Sequence, residues 1–253
     1  FRRVLFRSKM SINPMLIDFY IQCTVSKRNN VVIFPAESYT KMKELIQQTY
    51  GQKMGAFVTK LLANQPEDLV KAHTVLIPIQ VKNNWLLACV FNPFIKYNND
   101  TSITKPCIII CDSLGEKDEK RNPSKICEVV SKFFNKYNLH YYRYPKIDRQ
   151  CNSISLKEKQ IDVPHHAESW QSGLYVMLMI HKMVTHQVIN KGFTEQNYAE
   201  VDKFVEDVFS YNANEALLIK DDLITITTLI LKAKPLRPKL KFFPLTQIGR
   251  AHV

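Results

Sequence analysis

The chain has 253 residues, of which 45% are hydrophobic and 11% are aromatic. This composition excludes a wholly disordered chain and is sufficient for a sizeable core in one large domain or two small ones. Lysine and arginine (35) exceed aspartate and glutamate (23), which gives a formal net charge of +12. A basic chain favours acidic partners, but charge alone does not select nucleic acid over an acidic protein. No run of about 18 apolar residues occurs, so no membrane span is expected.

Both ends of the chain are unusual. Residues 1–8 and 248–253 read as translated sequencing adaptors, and we expect neither end to be native. Without the four arginines of these ends the net charge falls by four, to +8. We expect a single domain over residues 9–247.

The six cysteines form no CxxC pair and show no spacing typical of a disulfide framework. Cys107 and Cys111 fall in one predicted strand, where their separation of roughly 13 Å is too large for two ligands of one metal. Free thiols in a reducing compartment are therefore expected, which indicates an intracellular protein of the nucleus or cytoplasm. No metal and no cofactor is predicted.

The first quarter of the chain predicts helices. Apolar residues at helical spacing predict an amphipathic helix over residues 12–24, with Pro14 in its first turn. A short buried segment follows at residues 31–34, and further helices are predicted over 37–50 and 55–64.

The clearest sheet signal comes next, as a meander of three strands. Strands are predicted at residues 74–79, 85–91 and 107–111, and the third is almost wholly apolar, which is typical of a central strand. Pro78 implies that the first of these strands lies at an edge or near an end, because proline cannot donate to the ladder. The third strand ends in a turn at residues 112–115.

Helices dominate the second half. Asn122 is predicted to cap a helix that runs to Tyr137. Residues 139–144 predict a strand, and residues 145–163 are polar and without period. The remaining elements are a core helix that follows Ser172 and is apolar on all sides, two helices over 194–209 and 214–231, and a basic tail over 235–244.

Five stretches resemble the motifs of one family. They are Ile-Asn-Pro-Met-Leu-Ile-Asp-Phe-Tyr at 12–20, Val-Ile-Phe at 32–34 with Ser-Tyr at 38–39, Val-Leu-Ile-Pro-Ile at 75–79 with Asn-Trp-Leu-Leu at 84–87, Cys-Asp-Ser-Leu at 111–114, and the segment 164–176 around Gln-Ser-Gly-Leu-Tyr-Val. In this order they resemble the ubiquitin-like-protein peptidases of the Ulp1/sentrin-specific (SUMO-deconjugating) family, over roughly residues 12–184. The resemblance implies an α+β, papain-like cysteine protease fold with a small, mainly antiparallel central sheet flanked by helices.

The resemblance also assigns the reactive positions. In the family a cysteine thiolate attacks the carbonyl of a Gly-Gly tail, a histidine is its base, an aspartate orients the histidine, and a glutamine helps to stabilise the oxyanion. Ser172 stands at the nucleophile position, Asn84 at the base position and Asp112 at the orienting position. His166 stands at the oxyanion position, with His165 as the other candidate. Only the aspartate is retained.

Three further residues match positions that bind the modifier tail. These are Trp85, which matches the aromatic roof of the Gly-Gly tunnel, Gln171 and Gly173. Ser11 falls where the opposing tryptophan usually lies, so one wall of the tunnel is missing. Without the resemblance, Trp85 is equally well explained as a core residue and Asp112 as a turn residue.

These replacements predict the loss of catalysis. A serine hydroxyl needs a neighbouring base, and the amide of Asn84 cannot take its proton near neutral pH. Two other arrangements stay open: His166 acting as base for Ser172, and another cysteine, Cys111 or Cys151, acting as nucleophile. His181 is expected to be a hydrogen-bonded core residue.

The sequence thus predicts an inactive relative of these proteases that binds SUMO or another ubiquitin-like protein, or its conjugates. The alternative is an active peptidase that removes such modifiers. A nucleic-acid role is weakly supported, since Phe242 and Phe243 are the only aromatic residues beside the basic tail.

Overall fold

The computed structural model describes residues 11–24, 30–47, 56, 58–60, 69, 71–93, 107–113, 122–141, 157–161, 163 and 169–185. The predicted helices over 194–209 and 214–231, the basic tail and both ends of the chain lie outside these residues. Of the helix predicted over 55–64, residues 56 and 58–60 are described and are helical.

The described elements are four α-helices and five strands, separated by loops and one short 3₁₀ turn. In chain order they are α1 (Pro14–Thr24), β1 (Val31–Ile33), α2 (Ser38–Gln47), β2 (Thr74–Val81), β3 (Asn84–Phe91), β4 (Cys107–Cys111), α3 (Pro123–Tyr141), β5 (Lys157–Ile161), the 3₁₀ turn Ser169–Gln171 and α4 (Ser172–Thr185). None of the helices in these stretches is long and apolar enough to cross a membrane.

The strands form one sheet in the order β1-β2-β3-β4-β5. Strands β2, β3 and β4 pair antiparallel, as the predicted meander requires. The two outer strands, β1 and β5, pair parallel with their neighbours, so the sheet is antiparallel at its centre and parallel at its edges. Strand β4 lies between β3 and β5 and all five of its residues are buried, which confirms its predicted central place.

Pro78 lies where its missing N–H is tolerated. Strand β1 pairs with β2 only from Thr74 to Leu76, and the amide of Phe34 then donates to the carbonyl of Leu76 at 2.8 Å. Pro78 therefore lies beyond the part of β2 that β1 covers, as predicted for an edge position.

Helices cover both faces of the sheet. Alternate residues of β3 point to opposite faces, and Trp85, Leu87 and Cys89 pack with α1 and α4 in one cluster of buried residues. Leu86, Ala88 and Val90 pack with α2 and α3 in the other. This three-layer arrangement explains why β3 and β4 are apolar on both faces.

Side-chain caps fix the starts of two helices: α1 begins two residues after the predicted start at residue 12, and α3 begins at Pro123 as predicted. Asn13 caps α1, since its Oδ1 accepts the amide of Met15 at 2.8 Å and Pro14 opens the first turn. Asn122 caps α3 in the same way, accepting the amide of Lys125 at 3.3 Å.

The predicted strand at residues 139–144 is wrong in its first three residues, and the strand β5 was not predicted. Helix α3 continues to Tyr141, so residues 139–141 are helical and not the start of a strand. A helix that is already formed extends without a new nucleation step, and this outweighs a weak alternating pattern. The stretch 145–163 contains β5, whose sequence Lys-Glu-Lys-Gln-Ile has little strand propensity of its own. Pairing with the buried β4 decides its structure, and its charged residues suit an edge strand.

Candidate functional site at the start of the buried helix

Ser172 is the first residue of α4 and follows the 3₁₀ turn directly. From Ser172 to Ile180 every residue of the helix is buried, which confirms the predicted core helix. Ser172 itself has no exposed surface. A hydroxyl in this place lies at the positive end of the helix dipole but out of contact with solvent.

The hydroxyl of Ser172 is bound to the start of β3. The backbone amide of Trp85 donates to Ser172 Oγ at 2.9 Å, although the two residues are 87 positions apart. This amide belongs to the peptide bond between Asn84 and Trp85. The backbone beside Asn84, the predicted base position, is therefore next to Ser172, the predicted nucleophile position.

Asn84 is placed by a tight hairpin. Strands β2 and β3 are joined by two residues, Lys82 and Asn83, and Lys82 adopts a positive φ of 55°, which is typical of such turns. Asn84 is half-buried, and its Oδ1 is a buried oxygen without a hydrogen-bond partner. An unpaired buried acceptor of this kind costs on the order of 1–3 kcal/mol.

Asp112 lies directly after β4 and is half-buried. Because Leu87 is the partner of Cys111, one further step of this antiparallel register sets Asp112 opposite Leu86, two residues from Asn84. Asp112 is therefore at the same end of the sheet as Asn84 and Ser172. The next residue, Ser113, is fully buried, and its Oγ has no hydrogen-bond partner.

Trp85 and Gly173 pack together with Ile12. Trp85 is fully buried and its Nε1 donates to the carbonyl oxygen of Ile12 at 2.8 Å. A Cβ on Gly173 would lie 2.8 Å from Ile12 Cβ and 3.2 Å from Trp85 Cδ1, which are distances that no side chain could accommodate without a shift. Only glycine fits at residue 173, because the space is filled. Sequence reasoning missed Ile12, since an apolar residue beside a helix start gives no signal of its own.

The other predicted site residues have few described contacts that bear on their predicted roles. Gln171 is half-buried in the 3₁₀ turn, and Ser11 is half-buried and accepts a hydrogen bond from Gln80 Nε2 at 3.3 Å. His165 and His166 lie outside the described residues, so their predicted role at the oxyanion position stays a prediction.

Two described histidines are too far away to serve as a base for Ser172. His181 is nine residues along the same helix, a rise of about 14 Å. Its Nδ1 is buried without a hydrogen-bond partner, so at this nitrogen the prediction of a hydrogen-bonded core residue is not confirmed. His73 is exposed and precedes β2 at the opposite end of the sheet from Asn84.

The cysteines of the sheet are poorly placed as nucleophiles. Cys89, Cys107 and Cys111 form no disulfide and are buried on the face that α4 covers. Burial, together with contacts to Cys111 and Cys107, raises the pKa of the Cys89 thiol well above its usual value. In the described part of the chain no three His, Cys, Asp or Glu side chains are grouped as a metal site would require.

Comparisons with known proteins give a clear result for the fold. The sequence matches no protein family model, and no curated protein is similar enough in sequence to count as a match. Among solved structures the chain is similar to a de-sumoylating protease, with a TM-score of 0.61 and 21% identity over 90% of this chain and 84% of that one. This similarity confirms the predicted α+β protease fold of the Ulp1 type.

Two further structures are more distant. One is the C-terminal Ulp1 protease domain in complex with Smt3, the yeast ortholog of SUMO, with a TM-score of 0.46 and 15% identity over 88% of this chain and 82% of that one. The other is the catalytic domain of an Ulp1-like SUMO protease from Chaetomium thermophilum, with a TM-score of 0.45 and 16% identity over 86% of this chain and 78% of that one.

Proposed function

We propose that this chain, which has the fold of a de-sumoylating protease, is a catalytically inactive form of that fold that binds SUMO or another ubiquitin-like modifier, free or conjugated to a protein. The observation that supports this proposal is the contact between the start of β3 and the start of α4. Asn84 and Ser172 adjoin each other there, where the family resemblance places a histidine base and a cysteine nucleophile.

This pair cannot perform the proton transfer that the reaction needs. The amide of Asn84 has no basic nitrogen, so it cannot take a proton from Ser172 near neutral pH. Removing nucleophile and base as a unit costs on the order of 10⁶ in rate, which corresponds to about 8 kcal/mol of barrier. The hydroxyl of Ser172 also accepts the amide of Trp85, an acceptor role that requires no acid–base chemistry.

Binding can persist after this loss. The free energy of association comes from the surface that contacts the modifier and not from the groups that move protons. The formal net charge, +12 for the whole sequence and still +8 without the four arginines of its ends, suits an acidic partner and would increase the rate of encounter at low salt.

Reaction with a mechanism-based probe tests the first part of the proposal. SUMO carrying a C-terminal propargyl amide or vinyl sulfone should form no adduct with this chain, while a working SUMO protease in the same assay should react. An adduct that disappears in Ser172→Ala would identify Ser172 as an active nucleophile. An adduct that persists in Ser172→Ala would indicate another nucleophile. Either adduct would contradict inactivity and favour the alternative, an active peptidase.

Titration calorimetry tests the second part. Unmodified SUMO should bind saturably, and the affinity should fall as salt is raised from about 50 to 300 mM, because the expected partner is acidic. If neither SUMO nor ubiquitin binds at 50 mM salt, the proposed class of partner is wrong.

A further inference from the structure

The short segment 11–13 lies across the start of α4 and is fixed at each of its three residues. The hydroxyl of Ser11 accepts a hydrogen bond from Gln80 of β2, and the carbonyl of Ile12 accepts one from the indole of Trp85 in β3. Asn13 is the N-cap of α1. Contacts with β2 and β3 and the start of α1 thus hold these three consecutive residues in one place.

The side chain of Ile12 fills the space beside Gly173. Its Cβ and Cδ1 would lie 2.8 and 3.1 Å from a Cβ on Gly173, so it is in close contact with the backbone next to Ser172. Only 6% of Ile12 is exposed, while Trp85 and Ser172 have no exposed surface. Ile12 and Trp85 both pack against Gly173, the residue that follows Ser172 in α4.

We infer that Ile12 is a plug that closes the approach to Ser172. A reacting carbonyl has to come within about 3–3.5 Å of the attacking atom, and the space that its chain would need beside Gly173 is filled. Withdrawal of the segment would break the hydrogen bond of Ile12 to the buried indole N–H of Trp85, so the closed arrangement is the favoured one.

The plug has a consequence for recognition, and this consequence rests on the proposed function. A ubiquitin-like modifier whose extended C-terminal tail cannot reach Ser172 has to be recognised through its folded body. Removal of the tail should therefore leave the affinity unchanged.

A reporter thiol tests the plug without reference to any partner. Ser172→Cys places a thiol at a helix N-terminus, where thiols are reactive when they are reachable. Labelling by iodoacetamide, followed by peptide mass spectrometry, is compared with labelling of the exposed Cys23 in the same molecules. With Ile12 in place, the introduced thiol should react at least a hundredfold more slowly than Cys23.

Opening the plug should reverse this protection. Ile12→Ala should accelerate labelling of the introduced thiol at least tenfold, and Ile12→Val, which disturbs folding less, should have an intermediate effect. Ile110→Ala is the matched control, because it truncates a buried isoleucine on the opposite face of the sheet. Equal acceleration by Ile12→Ala and Ile110→Ala, or rapid labelling with Ile12 intact, would overturn the inference.

Calorimetry with two forms of SUMO tests the consequence. Intact SUMO and SUMO without its terminal Gly-Gly should bind the unaltered chain with dissociation constants that agree within twofold. Binding that weakens more than tenfold on loss of the tail would overturn body-only recognition and leave the proposed function standing. Failure of both forms to bind would overturn the proposed function, while the labelling rates still decide the plug.

Discussion

At the scale of single residues, the hydroxyl of Ser172 has a structural use that needs no chemistry. It is buried and accepts a hydrogen bond from the backbone amide of Trp85. Without this hydroxyl, the buried amide would lose its acceptor. Ser113 is equally buried, but its hydroxyl has no partner. The two serines therefore differ in what their hydroxyl groups contribute to the free energy of unfolding.

The same truncation at these two serines should have opposite results. Ser172→Ala removes a buried acceptor and should lower the free energy of unfolding by about 1–3 kcal/mol. Ser113→Ala removes an unpaired buried hydroxyl and should leave the free energy unchanged or raise it by up to about 1 kcal/mol. Urea denaturation of both variants provides the measurement. Equal destabilisation would contradict the assigned hydrogen bond.

A half-buried carboxylate, Asp18, gives a prediction of pH dependence. Its Oδ1 accepts the amide of Ala36 at 2.8 Å, yet burial raises the pKa of Asp18 from 3.8 to about 6. The folded state thus binds a proton more readily than the unfolded state. The stabilising contribution of the protonated form is fully present below pH 3.8 and is lost as the pH rises through 6.

Asp18→Asn should therefore stabilise the chain at neutral pH. The amide oxygen can still accept from Ala36, and the cost of burying a charge is removed. We expect a gain of about 1–2 kcal/mol at pH 7, less than the full value of the shift because the side chain is partly exposed, and almost none near pH 4. Urea denaturation at both pH values measures the gain.

Glu128→Gln is the matched control for Asp18→Asn. Lys132 lowers the pKa of Glu128, so this exposed carboxylate is not destabilising and its replacement should give no gain at neutral pH. A gain for Asp18→Asn that is the same at pH 4 and pH 7 would show that charge burial is not its cause.

At the scale of elements, a lysine side chain of α3 caps the C-terminal end of α2 and so joins the two helices. Lys136 of α3 donates through Nζ to the carbonyl oxygens of Leu45 and Ile46, at 3.3 and 2.6 Å, in the last turn of α2. These carbonyls have no partner within their own helix, and a cation is favoured at this end of the dipole. The contact fixes α2 on the face of the sheet opposite to Ser172.

Lys136→Met should destabilise the fold more than the loss of an ordinary exposed ion pair does. We expect a loss of about 1.5 kcal/mol in the free energy of unfolding, because two carbonyls lose a charged donor. Lys132→Met, one turn earlier on α3, removes an exposed ion pair with Glu128 and should change the free energy of unfolding far less than Lys136→Met does. Similar losses in the two variants would argue against the cap.

At the scale of the whole molecule, the sheet gathers positions that are far apart in the chain. The start of β3 is hydrogen-bonded to the start of α4 through Trp85 and Ser172. The end of β4 lies at the same end of the sheet. The segment 11–13 completes this region from the beginning of the described chain. The fold of a Ulp1-type protease is thus present, and in the proposed function the groups that transfer protons are replaced and covered.

Restoring those groups tests whether the framework is otherwise intact. Asn84→His with Ser172→Cys returns the expected base and nucleophile beside Asp112, and it should react slowly with a SUMO vinyl sulfone because Ile12 still covers the site. Adding Ile12→Ala should increase the reaction at least tenfold. If the triple variant folds and forms no adduct, the reaction needs changes at further residues besides these three.

The elements of this protein were largely predictable from local pattern. The meander of β2, β3 and β4, the cap at Asn122 and the apolar helix after Ser172 each follow from short-range signals. The end of α3 and the strand β5 did not, since helix propagation and pairing with β4 override weak local preference.

The sequence by itself determined that residues 172 and 84, a serine and an asparagine, carry no thiol and no imidazole in any fold. Only the tertiary structure decided that Ser172 accepts a hydrogen bond from the amide of Trp85, the residue after Asn84, and that Ile12 packs against Gly173 beside Ser172. The physical reason is the range of the forces involved. Identity and protonation are local properties of a side chain, whereas contact and burial depend on segments that meet only when the sheet has formed and both of its faces are packed.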